Sequence, residues 1–327
     1  MMRPAALLLA LAWAAPAVAV PLAEHPPLQA LINELVSENG FERAELERLL
    51  TGAQFQQSIV EAITRPAEKM PWHRYRPIFM TQQRIDGGVA FWQQHAQLLA
   101  RAEREHGVPA AVITAIIGVE TRYGAVTGRY RAVDALTTLA IAGLSRSAFF
   151  GRELRELMLL GREEHLDLTG LSGSYAGALG LPQFIPSSYR AYAVDFDQDG
   201  HRDLLGSPAD AIGSVANYLR RHGWERGQPI SAAATVTPTA AAMADGELLP
   251  RRTVSELRQQ GVTASGASAF PGATKAALIR LEAEQGDEYH LGFRNFYAIT
   301  RYNHSALYAM AVTQLAAAIG EQRGAAP

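Results

Sequence analysis

Between residues 28 and 63, apolar side chains recur three and four positions apart: Leu31, Ile32, Leu35 and Val36, then Leu46, Leu49 and Leu50 after Phe41. That period lines one face of an α-helix, so the stretch is predicted to be helical, with this face turned to a core. Residues 66–77 hold three prolines among aromatics and read as a loop. A long helix is predicted over about 88–106. Gly107-Val108-Pro109 then opens another, with Pro109 suited to its first turn. Val112, Ile113, Ile116, Ile117 and Val119 make this helix apolar on most sides, hence buried, and Gly124 is placed to cap it after Tyr123. Helical patterns return at 131–142, 147–165, 208–222 and, rich in alanine, at 304–320. The glycine-rich run 169–183 is a loop.

After Trp224 the character changes. Residues 228–275 are rich in Ala, Thr, Ser, Pro and Gly without helical periodicity, and 275–283 and 288–293 read as two strands around a Gln-Gly-Asp turn. The fold class is therefore mainly α, of the α+β kind, with a small β-containing insert at 226–293 and a closing segment at 294–327.

Composition narrows the function. A net charge of −2 over 327 residues speaks against nucleic-acid binding, which needs a basic face. Residues 1–19 resemble a signal peptide: Arg3, an uncharged apolar run at 5–15, then the small-x-small ending Ala17-Val18-Ala19. Eleven residues rise only about 16 Å as a helix, short of a ~30 Å hydrocarbon core, so this is an export signal and not a membrane span. There is no cysteine. Disulfides and lipidation are excluded, and a soluble periplasmic protein is expected. No metalloprotease, phosphate-loop, dinucleotide or nucleophile-elbow motif is present, so no organic cofactor is expected.

Two features carry chemistry. Glu120 sits near the end of the most apolar helix, where partial desolvation disfavours a charged carboxylate, as a general acid requires. Taken alone, it is more readily read as a solvated helix glutamate or one paired with Arg122. Asp195-x-Asp197-x-Asp199-Gly200 has the spacing of a calcium-binding EF-hand loop, with His201 offering its backbone carbonyl. Position twelve of such a loop should be Glu but is Gly206, so the motif by itself is incomplete.

The string IIGVETRYG around Glu120 resembles the lytic transglycosylase B family of peptidoglycan-cleaving enzymes. So do GSYAGALGLPQFIPSSY (173–189), DAIGSVANYLRRHGW (210–224) and NFYAITRYNHSALYAMAV (295–312). The likeness runs from about residue 72 to residue 315. It implies a lysozyme-like helical core over 86–225 and a helical part at 20–85. It also implies that Glu120 is the sole catalytic carboxylate. Glu120 would protonate the bond between N-acetylmuramic acid and N-acetylglucosamine, then draw a proton from the muramoyl O6 hydroxyl. Attack by O6 on the anomeric carbon would give a 1,6-anhydro product.

Most glycosidases need two carboxylates about 5–9.5 Å apart. Here the substrate's acetamido group would stand in for the second, and 173–189 contains neither Asp nor Glu. Asp134 is read as structural. By the same resemblance Ser174 and Gln183 donate hydrogen bonds to the sugar, with glycines between them admitting the glycan. Tyr75, Tyr218, Tyr302, Asn303 and Tyr308 line the cleft. Phe149 stands where the family carries tyrosine, and Leu181-Pro182 replaces a Tyr-Gly pair. The resemblance also completes the calcium loop with Asp210, with Asp203 as a further candidate ligand. Peptidoglycan glycan strands, and with them other cell-wall enzymes, are the partners it implies. Two readings from other classes compete: a lysozyme-type hydrolase using water, and a non-catalytic peptidoglycan- or calcium-binding module.

Overall fold

The computed structural model describes residues 18–65, 70–265 and 270–325. The apolar run 5–15 and Ala17 of the expected signal lie outside these residues, as do Pro66–Lys69 of the expected loop. The described chain begins with β1 (Val18–Ala19), which pairs antiparallel with β2 (Gln54–Phe55). Helices α1 (Pro26–Asn39), α2 (Arg43–Thr51) and α3 (Gln57–Thr64) account for the first periodic stretch.

The proline-containing stretch is helical where a loop is expected: α4 spans Trp72–Phe79. Pro71 caps it, while Trp72, Tyr75 and Phe79 fall at helical spacing on one face, with ring centroids 6.4 and 5.0 Å apart. That aromatic stripe, two of whose residues are buried, outweighs Pro77 within the helix. The long helix expected at 88–106 is two, α5 (Gln82–Gln94) and α6 (Ala96–His106). They part at His95, whose backbone leaves the helical region and whose ring packs 4.6 Å from Phe91.

Next come α7 (Ala110–Thr121), the short pair β3 (Tyr130–Arg131) and β4 (Ser172–Gly173), and between them α8 (Ala132–Ile141) and α9 (Ser147–Glu163). The remaining core helices are α10 (Pro186–Tyr192) and α11 (Pro208–Arg221), then, beyond the insert, α14 (Arg294–Thr300) and α15 (Ala306–Ala325). The α10 and α14 turns are too short for periodicity to announce. Helix α7 is the central rod: Val112, Ile113, Ala115, Ile116 and Ile117 are at most 2% exposed, with α5, α6, α11 and α15 packed around it.

The insert is larger than two strands. Its sheet runs β6 (Arg252–Thr253), β8 (Lys275–Glu282), β9 (Asp287–Gly292), β5 (Ser231–Val236), β7 (Val262–Ala264), antiparallel throughout. Two short helices, α12 (Pro238–Ala241) and α13 (Val254–Gln259), cover it over a second apolar cluster. The architecture is mainly α with a small sheet, as the periodicities indicate.

Candidate active site

Helix α7 stops two residues before the expected cap because Arg122 and Tyr123 already adopt left-handed backbone, with φ of 51° and 62°. Such conformations cost energy for residues with a Cβ, so something must hold them. Tyr123 is the holder. Its hydroxyl donates to the Arg84 carbonyl at 2.7 Å, and its ring fills a slot floored by Gly88 and Gly118. A Cβ on Gly118 would lie 2.5 Å from that hydroxyl. Arg84 donates to the Gly118 carbonyl from the other side. Thr121 completes the turn: its Oγ1 accepts from the Gly124 N–H at 3.0 Å and lies 3.0 Å from the Leu181 carbonyl.

This turn presents Glu120, half-buried, at the edge of the buried rod. Its Oε1 accepts a 2.6 Å hydrogen bond from the Tyr308 hydroxyl. Tyr308, in the first turn of α15, is steadied by its own N–H donating to Ser305 Oγ at 3.3 Å. The Tyr302 ring lies nearly parallel to it, 6.3 Å away at 11°, and donates to the Pro182 carbonyl at 2.6 Å. Burial, and then the charge of Glu120, push both phenols well above their ordinary range, so they stay protonated donors at neutral pH. Tyr75 faces Tyr308 closely enough to add to that shift. Tyr218 meets Tyr302 edge-on at 4.9 Å and donates its hydroxyl to the Arg301 carbonyl. Ser305 N–H is held by the Asn303 carbonyl at 2.7 Å, which folds the chain between Tyr302 and α15.

The glycine-rich loop shows which donors are spent. Ser174 Oγ accepts from the N–H groups of Ala176 and Ala178 at 3.2 and 3.1 Å, a local turn that fixes the side chain by its oxygen. Gln183, at φ 52°, gives its amide Nε2 to the Thr127 and Gly180 carbonyls at 3.0 and 2.8 Å. Two carbonyl acceptors require the nitrogen there, so Gln183 is committed as a donor inside the protein and presents its oxygen as an acceptor. Gly180 is spent likewise. A Cβ there would sit 2.1 Å from the Leu204 carbonyl, so its closeness serves the chain's own packing. Phe149 opens α9 apart from these contacts, its ring 5.1 Å from Phe150 and under the Arg146 guanidinium.

Asp134 is buried and accepts from Arg131 and from the Gln54 N–H at 2.9 Å, tying α8 to β2. Several contributors were silent in the sequence. Thr121 and Tyr123 shape the turn. Phe184, Tyr192 and His222 extend the aromatic cluster, with His222 stacked 4.0 Å from Tyr218. Only the four-residue spacing of Tyr218 and His222 on α11 hinted at this. Buried Glu153 accepts from Ser187 N–H and Oγ at 2.9 and 2.7 Å and so anchors α10.

The acidic loop gathers Asp195, Asp197 and Asp210, with carboxylate oxygens within 4.8 Å of one another. Asp210 is fully buried in the first turn of α11 and receives N–H groups of Phe196 and Asp203 at 2.6 and 2.7 Å. Burial, aided by the Asp197 charge, still pushes its carboxyl up. Asp195 accepts from the Gln198, Asp199 and Gly200 N–H groups. Among the described residues no cationic side chain pairs with any of the three, and the donors are all hard oxygen, which fits a calcium-like cation. Asp199 is not in the cluster; it accepts from the His201 N–H at 2.9 Å. Asp203 likewise turns to the Leu205 and Gly206 N–H groups. The loop joins the turn after Glu120 through the Leu181 N–H on the Leu204 carbonyl, at 2.9 Å.

Residues 23–317 match the family described as Transglycosylase SLT domain. The chain is 41% identical over 318 residues to membrane-bound lytic murein transglycosylase B of Escherichia coli (strain K12), covering 92% of this chain and 84% of that protein. Among solved structures, soluble lytic transglycosylase SltB1 from Pseudomonas aeruginosa is 47% identical, covers 92% of this chain and all of its own, and superposes with a TM-score of 0.86. The Escherichia coli lytic transglycosylase Slt35 in complex with calcium is 40% identical over 94% of this chain and 97% of its own, with a TM-score of 0.83.

Proposed function

The chain belongs to the transglycosylase SLT-domain family, enzymes acting on peptidoglycan, and on that premise we propose that Glu120 alone performs its acid and base chemistry. In the first step Glu120 gives its proton to the glycosidic oxygen as the bond from the muramoyl C1 breaks, so N-acetylglucosamine leaves as an alcohol. The acetamido oxygen of the same muramoyl unit shields C1. Glu120, now a carboxylate, takes the proton of the O6 hydroxyl while O6 bonds to C1, and the 1,6-anhydro ring closes. Carboxyl and carboxylate alternate, and the enzyme ends as it began.

The observation that carries this reading is the Tyr308–Glu120 hydrogen bond at the end of a rigid buried helix. A phenol that stays protonated steadies the carboxylate between the two steps without competing for its proton. Tyr75, Tyr218, Tyr302, Asn303, Ser174, Gln183 and Phe149 would line the glycan cleft, Ser174 through its hydroxyl hydrogen and Gln183 through its amide oxygen. Calcium would be held by Asp195, Asp197 and Asp210, where it supplies charge neutralisation between the loop and α11. Its presence in the Slt35 structure supports this assignment. The amino-terminal segment supports export to the periplasm.

The test is mass spectrometry of products released from purified sacculi by wild type and Glu120→Gln. Anhydromuramic ends, lost in the variant, are expected. Reducing ends would make water the nucleophile and the enzyme a hydrolase. Undiminished release by the variant would remove Glu120 from the chemistry.

A further inference from the structure

Glu120 on α7 and the Tyr308 phenol on α15 lie far apart in the chain, yet both are referred to one short stretch, Leu181-Pro182. Thr121, fully buried beside Glu120, has one hydroxyl hydrogen and two carbonyls in reach, Ile117 at 3.1 Å and Leu181 at 3.0 Å. The Ile117 carbonyl also takes the Tyr123 N–H at 3.4 Å, whereas among the described residues Thr121 is the one donor to the Leu181 carbonyl. Leu181 is buried, so its carbonyl claims the hydrogen, and the Gly124 N–H fixes the hydroxyl from the other side at 3.0 Å. The next carbonyl along, that of Pro182, accepts the Tyr302 hydroxyl at 2.6 Å. The Tyr302 ring is nearly parallel to that of Tyr308 and is braced at 5.7 Å by Phe184, two residues past Pro182.

Proline makes this stretch stiff. Its ring fixes its own φ near about −65° and restricts Leu181 before it, so the two carbonyls keep a set direction. The Leu181 N–H on the Leu204 carbonyl fastens the pair to the core. We propose that Leu181-Pro182 is the common anchor of the active site, and that Thr121 is a positioning residue acting on Glu120 through the Leu181 carbonyl. Two left-handed residues follow Thr121 directly, and a turn so strained relaxes when a tie is cut. Relaxation would carry Glu120 away from the Tyr308 phenol, which the same anchor holds through Tyr302. The role rests on the Glu120 reading above and adds to it the element that aligns the pair.

The experiment measures kcat and KM on soluble glycan strands. Thr121→Val keeps the shape of the side chain and removes its hydrogen bonds. Misplacing a catalytic group by about 1 Å costs about 10²-fold, and losing one tie a part of that, so kcat is expected to fall about tenfold with KM within about twofold. Thr121→Ser restores the hydroxyl and is expected to recover most of kcat. In a Tyr308→Phe background, Thr121→Val should cost less than about twofold more, because the bond it aligns is already gone. Pro182→Gly keeps both carbonyls but frees their direction, and should lower kcat about threefold. An unchanged kcat in Thr121→Val, no recovery with serine, or the same fall in both backgrounds overturns the positioning role. Should Thr121→Val not fold, Pro182→Gly decides alone, and an unchanged kcat there overturns the anchor. These outcomes leave Glu120 in place as long as Glu120→Gln abolishes anhydro products. A Glu120→Gln enzyme that still forms them overturns the Glu120 reading, and the positioning role with it.

Discussion

Glu120 takes a hydrogen bond from the Tyr308 phenol, whereas Asp195, Asp197 and Asp210 crowd together among backbone N–H donors. The two centres are joined through Leu181 and Leu204, yet they are built for opposite ends. A carboxylate bonded to a phenol that stays protonated can hold a proton or release it, because that donor serves the ionised state without being a counter-charge that fixes it there. Three carboxylates whose oxygens lie within 4.8 Å of one another offer the converging hard oxygen ligands that a calcium-like cation takes. A carboxylate bonded to a phenol suits proton transfer; crowded carboxylates suit metal binding.

The sharpest way to break this contrast is to exchange the readouts. Glu120→Gln is expected to lower kcat by about 10²–10⁴-fold, the range for losing a general acid–base, while melting stays within about 2 °C of wild type. Asp210→Asn, or chelation of wild type, is expected to do the reverse. A cation at a hundredfold excess over its Kd adds about 2.7 kcal/mol. For a chain of this size that is a fall of about 4 °C on removal. Scanning calorimetry with and without chelator checks it, and an unmoved Tm would mean the acidic loop is a solvated turn.

Next in size is Tyr308→Phe. It deletes the hydrogen bond to Glu120 but keeps the ring against Tyr302. A bond to a charged partner contributes about 1.5 kcal/mol or more, so kcat is expected to fall about tenfold with KM little changed. Steady-state kinetics on peptidoglycan decide it. A rise in KM alone would make Tyr308 a substrate-binding residue and not a support for the carboxylate.

How far the sequence reveals these centres depends on the range of the interactions. The buried rod α7 is legible because Ile113, Ile116 and Ile117 recur at helical spacing, and Asp195 and Asp197 because a loop motif is local. Asp210 and Glu120 required family resemblance, since their partners lie 14 and 188 residues away. Helix α4 was hidden because its prolines obscured an aromatic stripe that matters only once packed. The left-handed turn at Arg122 and Tyr123 depends on Gly118 and, from a separate stretch on α5, on Gly88 and the Arg84 carbonyl, which no window reads together with it. The internal contact of the Gln183 amide with Thr127 is hidden for the same reason, since the two lie 56 residues apart.

Glu153 sharpens the comparison with the smallest expected effect. It too is a carboxylate bonded to a hydroxyl, but at 3% exposure it is sealed, and its partner Ser187 belongs to the scaffold of α10. Burial pushes its pKa up despite the hydrogen bonds from Ser187. The folded state therefore binds this proton more tightly than the unfolded state does. Its contribution to stability is fully present below the ordinary glutamate value and is lost as pH rises through the raised one. Glu153→Gln stays neutral, can donate to Ser187 Oγ, and can still accept from its N–H. Relative to the variant, wild type is expected to lose stability across that acid window and level off above it. The difference should be no more than about 1 kcal/mol, the scale of one neutral hydrogen bond. Melting temperatures of both proteins from pH 4 to 8 measure it, and parallel curves would deny the shift. Anhydro-product formation by the variant is expected to persist, because an isolated carboxyl without access to substrate is a structural acid and not a catalyst.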